Sequence, residues 1–402
     1  MFLKYSDMGG EYLRQEFESP NVIAEFVPNV KESSVRKLFM EISRNLVFSP
    51  TTKLYAKYGT SKVAKKTKLV NVFLHLVYGP LSKINFLKVM VRWVEIHIFR
   101  DSQYGKYFDT YKPDLVFSTA LLSNFDIAFL KNAKRRGVAT LSMPKSWDNL
   151  DKILFRFEPG IFLVQNELMK KDAARYQGFR EDRVLPVGFL QFDIYKDLVA
   201  TELRADYCTR HGFDNNLPII FIGSEGLWSP KDHLIFEDII KSRESGKLMD
   251  ANIIIRPHFS EVYDGRYDHL KKYKRVFIDS NFRVTEFFAD HWDPTYEDMK
   301  DFCNTLRHCD VSMNFASTLS LDAVCFDKPV VNIAFGNRFD AQGKDITPIM
   351  YETGFYQEVI KTGATEMVYS HSELNHAVKK YLEDPNYRKE GRAKLRDRLC
   401  YN

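Results

Sequence analysis

A chain of 402 residues is long enough for two domains with their own cores, and its 45% hydrophobic and 28% charged residues fit a soluble globular protein better than a disordered or membrane-spanning one. A formal net charge of +5 is too small to argue for a nucleic-acid partner. The five cysteines (Cys208, Cys303, Cys309, Cys325, Cys400) are scattered, odd in number and without CxxC spacing, which points away from a disulfide framework or a zinc site and toward a reducing cytoplasm.

Met1 to Gly10 is polar and has no secretory-signal pattern. Periodic apolar positions in Val35 to Val47, Val63 to Val77 and Leu81 to Phe99 predict a helical region over 1–105, with strand alternation only at Asn21 to Phe26. The apolar runs Val70 to Tyr78 and Ile84 to Phe99 are broken by Gly79-Pro80 and by Lys88, Arg92 and Glu95, so neither is expected to span a bilayer. Lys53, Lys57, Lys62, Lys65, Lys66 and Lys68 crowd just before Leu69 to Tyr78. They read either as a solvated surface or as a basic and apolar patch for anionic lipid headgroups or an acidic acceptor.

Beyond this region the pattern changes. Strand signals at Asp114 to Phe117, Val138 to Met143, Ile161 to Val164 and Arg183 to Val187 alternate with helical stretches and glycines, as in repeated βαβ units over 106–195. The charged stretch 196–217 closes with Gly212 and Asp214-Asn215-Asn216 and reads as a linker. A second βα series over 218–385 has strands at Ile219 to Gly223, Ile253 to Arg256, Arg275 to Ile278, Asp310 to Met313 and Val330 to Ile333, then a helix over Ser372 to Leu382 and a tail over 386–402.

The chemistry concentrates at strand ends. Between the strands at Asp310 and Pro329 lies a helix of about two to three turns, announced by Asn314, Ser317, Thr318 and Ser320. These short side chains cap exposed amides; they also suit phosphate oxygens, for which a helix N-terminus offers N–H groups and partial positive charge. Arg256-Pro257-His258 ends a second strand in a cation and an imidazole, and Gly223-Ser224-Glu225-Gly226 ends a third. In one open parallel sheet such ends line the edge where ligands bind. Asp148, after the strand ending at Met143, faces this edge from the first domain and is the expected base, although Asp-Asn after Trp is also a turn sequence.

The Arg256-Pro257-His258 turn, the D-V-S-x-N-x-x-S-T-x-x-x-D pattern from Asp310 to Asp322 and Lys328-Pro329-Val330-Val331 resemble the two-domain GT-B glycosyltransferases of bacterial surface-polysaccharide synthesis, similar to the UDP-N-acetylglucosamine 2-epimerase and CDP-glycerol transferase group. Weaker similarity reaches Lys145 to Leu150 and Arg183 to Asp193. The resemblance implies an α/β chain of two Rossmann-like, doubly wound domains facing a central cleft. Residues 1–195 would form the acceptor side and 218–385 the donor side.

It further implies donor contacts from Gly223, Ser224, Glu225, Arg256, His258, Asn314, Ser317, Thr318 and Ser320, with Asp322 near the ribose or sugar hydroxyls where the family has glutamate. His258 would join Asp148 in catalysis. The implied partners are a nucleotide-sugar and a glycan or lipid-linked acceptor, with no cofactor and no metal. The implied location is the cytoplasm, at the inner face of the membrane. The other readings are 2-epimerisation of a UDP-sugar, transfer of glycerol phosphate from CDP-glycerol, and nucleotide binding without turnover. Met313-Asn314-Phe315-Ala316-Ser317 departs from the glycerophosphotransferase pattern.

Overall fold

The computed structural model describes residues 2–5, 17, 19–59, 67–198, 202–226, 229–261, 265–280, 282–283, 293–340 and 342–400. Lys62, Lys65 and Lys66 of the basic cluster, and the side chain of Lys68, lie outside the described residues.

In the N-terminal region β1 (Phe2–Tyr5) pairs in parallel with β2 (Ala24–Val27), a small sheet in the part read from sequence as mostly helical. Helices Ser34–Arg44, Pro50–Tyr58, Lys68–Phe73 and Asn85–His97 follow. Ser33, Ser49 and Thr67 cap the first three, each accepting a hydrogen bond from an amide three residues on. The third widens into a π-helical turn, Leu74–Tyr78.

The first large sheet is parallel and runs in simple sequence order through β3 (Leu115–Ser118), β4 (Ala139–Ser142), β5 (Ile161–Val164) and β6 (Val184–Pro186). The second contains β7 (Ile219–Gly223), β8 (Asn252–Arg256), β9 (Val276–Ile278), β10 (Val311–Asn314), β11 (Val330–Ile333) and β12 (Thr365–Val368). Its spatial order is β12-β11-β10-β7-β8-β9, all parallel. This is the doubly wound order of the dinucleotide-binding fold, and the direction of winding reverses between β7 and β10.

Side-chain alternation divides the core of the second sheet. Ile219 and Phe221 of β7 face a core shared with Phe162 and Val164 of the first domain, while Ile220 and Ile222 pack on the opposite face with Ile253 and Ile255 of β8. A sheet buried on both faces explains why its central strands β7 and β8 are nearly unbroken apolar runs.

Two expected boundaries change. Within 196–217, helix Arg204–His211 is docked on the second domain: Arg204 binds the His308 carbonyl and Asp310, and Tyr207 is fully buried with its hydroxyl 2.8 Å from Thr305 Oγ1. The stretch 386–402, expected as a tail, contains helix Lys389–Leu399, which packs against both helix Leu319–Cys325 and the first-domain helix Glu167–Asp172. Asn166 of the first domain caps it by donating to the Leu399 carbonyl at 3.3 Å.

Candidate active site

The switch point between β7 and β10 sets the site, because the loops leaving these two strands diverge and open a crevice at their carboxyl ends. β7 stops at Gly223, where an added Cβ would lie 2.3 Å from Leu319 Cδ2, so the absent side chain admits the start of the next helix. Two residues on, Gly226 has φ +64°, and a Cβ there would stand 2.5 Å from His258 Nδ1. Between these glycines Glu225 is turned into the crevice.

The loop after β10 carries a second unusual backbone: Ala316 has φ +47°, a left-handed conformation that costs a non-glycine residue energy. This turn does not offer a row of free amides, as the sequence predicts. Ala316 N donates to Tyr351 Oη at 3.1 Å, Ser317 N to Asn314 Oδ1 at 3.3 Å and Leu319 N to Ser317 Oγ at 3.3 Å. The protein satisfies those donors itself.

A cavity of about 280 Å³ lies at this edge, lined from both domains. The second domain contributes Glu225, Ala316, Thr318, Arg338 and Phe355; the first contributes Trp147, Asp148 and Lys152, with Leu54, Tyr55 and Tyr58 from helix Pro50–Tyr58. Trp147 Nε1 donates to Thr318 Oγ1 at 3.2 Å, a direct bond across the cleft, and its ring meets Phe355 edge-on at 5.2 Å. A backbone bond, Gly354 N to Thr51 Oγ1 at 2.9 Å, joins the two sides again nearby.

The two carboxyls of the cavity are held in opposite protonation states. Burial pushes Glu225 up to about 8, against the hydrogen bond from Ser317 and reinforced by the negative charge of Asp148. Its Oε2 is buried with no hydrogen-bond partner. Burial would also raise Asp148, but the Lys152 ammonium paired with it pulls its carboxyl below the ordinary value. Lys152 lies 4.7 Å from the centre of the Phe355 ring. Arg338, the other cation of the cavity, forms no ion pair among the described residues. At neutral pH the crevice therefore holds a neutral acid, an ionised carboxylate with its counter-ion, and a guanidinium with its charge unpaired. Titratable groups pushed apart in this way mark sites of proton transfer.

Asp148, Glu225 and Thr318 thus line one cavity, with Ser317 bonded to Glu225. The other expected donor contacts lie elsewhere. Asn314 and Ser320 are fully buried: Ser320 Oγ bonds Asn314 Oδ1 at 3.1 Å and Tyr356 Oη at 2.8 Å, and Asn332 Nδ2 donates to Asn314 Oδ1 at 3.1 Å. Their side chains join β10 and β11 to the helix beneath. Ser224 donates to Asp232 at 2.6 Å and accepts from Gly226 N at 3.0 Å, fixing the Glu225 loop from behind.

Arg256 is paired with Asp279 and sits 4.5 and 4.6 Å from the centres of the Phe282 and Phe302 rings. Asp322 accepts from Tyr195 Oη at 2.6 Å, and burial raises its carboxyl to about 6. His258, behind Gly226, has Nδ1 2.8 Å from Ser260 Oγ. Trp147, Lys152, Tyr55 and Arg338 were not anticipated. Trp147 precedes Asp148 and Lys152 lies four residues after it, and Arg338 follows β11 as Arg256 ends β8, so a search of every strand end for cations would have found it.

No protein-family model and no curated protein matches the chain. Solved structures do. MnaA of S. aureus, determined with UDP, aligns at 12% identity and TM-score 0.50 over 78% of this chain and 77% of its own. The chain has the GT-B fold. Two further structures align below that score: the Neisseria meningitidis UDP-GlcNAc 2-epimerase bound to UDP-GlcNAc (11% identity, TM-score 0.47, 97% of this chain and 92% of that one) and a Rickettsia africae glycosyltransferase (11%, 0.46, 75% and 77%). The interdomain cavity at the switch point is the central cleft of this GT-B fold.

Proposed function

We propose that the chain is a nucleotide-sugar-dependent glycosyltransferase. The observation that carries this reading is the interdomain cavity in which neutral Glu225 and ionised Asp148 stand with an unpaired Arg338. In the reaction the bond from the sugar anomeric carbon to the diphosphate oxygen breaks while the acceptor oxygen bonds to that carbon. Asp148 takes the acceptor hydroxyl proton; its pairing with Lys152 keeps it ionised and in place, at some loss of basicity. Glu225 in its neutral form hydrogen-bonds the departing phosphate oxygen, and Arg338 meets the charge that develops there. A bound metal is not required in this reading, so titrations are run with and without magnesium.

The same pair of carboxyls supports a second reading, 2-epimerisation, because an acid and a base facing one sugar are also what proton exchange at a ring carbon needs. NMR of the sugar nucleotide incubated in D2O separates the two. Transfer predicts nucleotide release that depends on added acceptor and no deuterium at the sugar C2; C2 deuteration without acceptor would overturn it in favour of epimerisation. Asp148→Asn is expected to bind nucleotide normally and to lose about two orders of magnitude in turnover.

A further inference from the structure

Two helices of the N-terminal region bury charged side chains and turn large apolar ones outward. In helix Asn85–His97, Lys88, Arg92 and Glu95 share one face and are buried, at 1%, 4% and 0% exposure, whereas Phe86 and Trp93 on the opposite face are 71% and 55% exposed. In helix Ser34–Arg44, Arg36 is likewise buried, and Val35, Leu38 and Ile42 face outward beside exposed Lys37, Glu41 and Arg44. Of the inward charges, Glu95 is bound by Arg36 at 2.8 Å, by Lys131 at 2.9 Å and by Arg156, and Arg92 lies 3.6 Å from Glu158, whereas burial and the neighbouring Arg92 lower the Lys88 ammonium to about 8. Apolar faces turned to water on this scale mark a surface that meets something apolar.

In the same N-terminal region lies an apolar groove of about 890 Å³ between helix Pro50–Tyr58 and the turn of helix at 68–78. Val72 and Leu76 line it, and Leu54 and Tyr58 line both the groove and the active-site cavity, so the two spaces adjoin. Lys53 and Lys57 stand on its rim, neither in an ion pair among the described residues, although Glu352 also lines the groove and acts on Lys57 electrostatically. An apolar trough with a cationic rim that opens on a reaction site fits an amphiphile with a hydrocarbon chain and an anionic head.

We propose that this groove holds the hydrocarbon chain of a lipid-linked phosphorylated acceptor, with Lys53 and Lys57 beside its phosphate and the acceptor end directed into the cleft. That the head is an acceptor rests on the transferase reading; that the groove binds an anionic amphiphile does not.

The test is calorimetry on the full chain with farnesyl phosphate, farnesol and inorganic phosphate as probes, and pelleting with phosphatidylglycerol vesicles. Farnesyl phosphate is expected to bind saturably and more tightly than either of the others. Val72→Trp, which fills the groove, is expected to weaken it by about tenfold or more, while Leu69→Glu, on an 82% exposed side chain outside the groove lining, leaves it unchanged. Should Val72→Trp fail to fold, Lys53→Glu with Lys57→Glu is expected to reduce farnesyl phosphate to the level of farnesol. Vesicle binding without saturable farnesyl phosphate binding, or binding lost in Leu69→Glu and kept in Val72→Trp, would overturn the proposal in favour of simple membrane adhesion. A nucleotide titration on the same samples separates the readings: nucleotide binding without farnesyl phosphate binding sinks the groove alone, and the reverse sinks the transferase.

Discussion

Strand β8 and helix Asn85–His97 are both apolar segments interrupted by charge, and the protein folds them in opposite senses. In β8, Ile253 to Ile255 are wholly buried and the charge of Arg256 is kept at the strand end, paired with Asp279 between aromatic rings. In the helix the charges are inside and the aromatics outside. A closed parallel sheet has no other choice, since both of its faces are covered. A helix on the surface can turn either face inward, and the ion pairs of Arg36, Lys131 and Arg156 with buried Glu95 leave its apolar face available for another partner. The second domain therefore spends its polar groups on holding a rigid site, and the first spends its apolar groups on presenting a surface.

Substitutions in the two regions sharpen that contrast. The largest effect is expected from Glu225→Ala, which removes the hydrogen bond to the departing phosphate oxygen: turnover falls by about 10²–10³-fold with nucleotide binding kept. The wild-type enzyme should lose turnover as pH rises through about 8, where Glu225 ionises. Stability follows the same group. Its carboxyl is raised in the fold above its ordinary value of 4.5, so the native state holds a proton that the unfolded chain releases, and its contribution declines as pH climbs from 4.5 to about 8. Thermal melts across that window should show the decline, and Glu225→Gln should remove its part above pH 7, leaving the part from Asp151, Asp172, Asp232 and Asp322, whose carboxyls burial also raises.

Next in size is Asn314→Ala, which strips a buried network of a central acceptor and should cost about 1–3 kcal/mol in denaturant unfolding without changing nucleotide affinity in the folded fraction. A loss of affinity at unchanged stability would return Asn314 to the donor site. Trp147→Phe removes the hydrogen bond to Thr318 but keeps a ring, and unfolding should report a loss of about 0.5–1.5 kcal/mol. Leu69→Ser, on the outward face of the first region, should leave stability within about 0.5 kcal/mol. A large loss there would mean that this face is packed after all.

Most of the fold was legible because its strands are short apolar runs that end in glycine or charge, and every strand expected from Asp114 onward is present. β12 was missed: Thr365-Glu366-Met367-Val368 is an edge strand with little apolar run to signal it. The edge that carries the interdomain cavity was legible from the loops after β7 and β10. The division of labour within them was not. Ser320 and Thr318 look alike as hydroxyls before a helix, yet one lies under the turn against Tyr356 and the other faces Trp147 across the cleft. Helical period identifies two faces on Asn85–His97 but carries no sign for which is inside; that depends on Lys131 and Arg156, which come from distant parts of the chain.

The central claim is that the cavity between the domains is a nucleotide site whose free cation is Arg338. Calorimetric titration of the full chain and of Arg338→Ala with UDP, CDP, GDP, dTDP and CMP, with and without magnesium, tests it most directly. One nucleotide should bind the wild type saturably, and Arg338→Ala should weaken it by about ten- to hundredfold through loss of a charge-assisted contact while melting normally. Silence across the panel, or binding undiminished in Arg338→Ala, would contradict the claim.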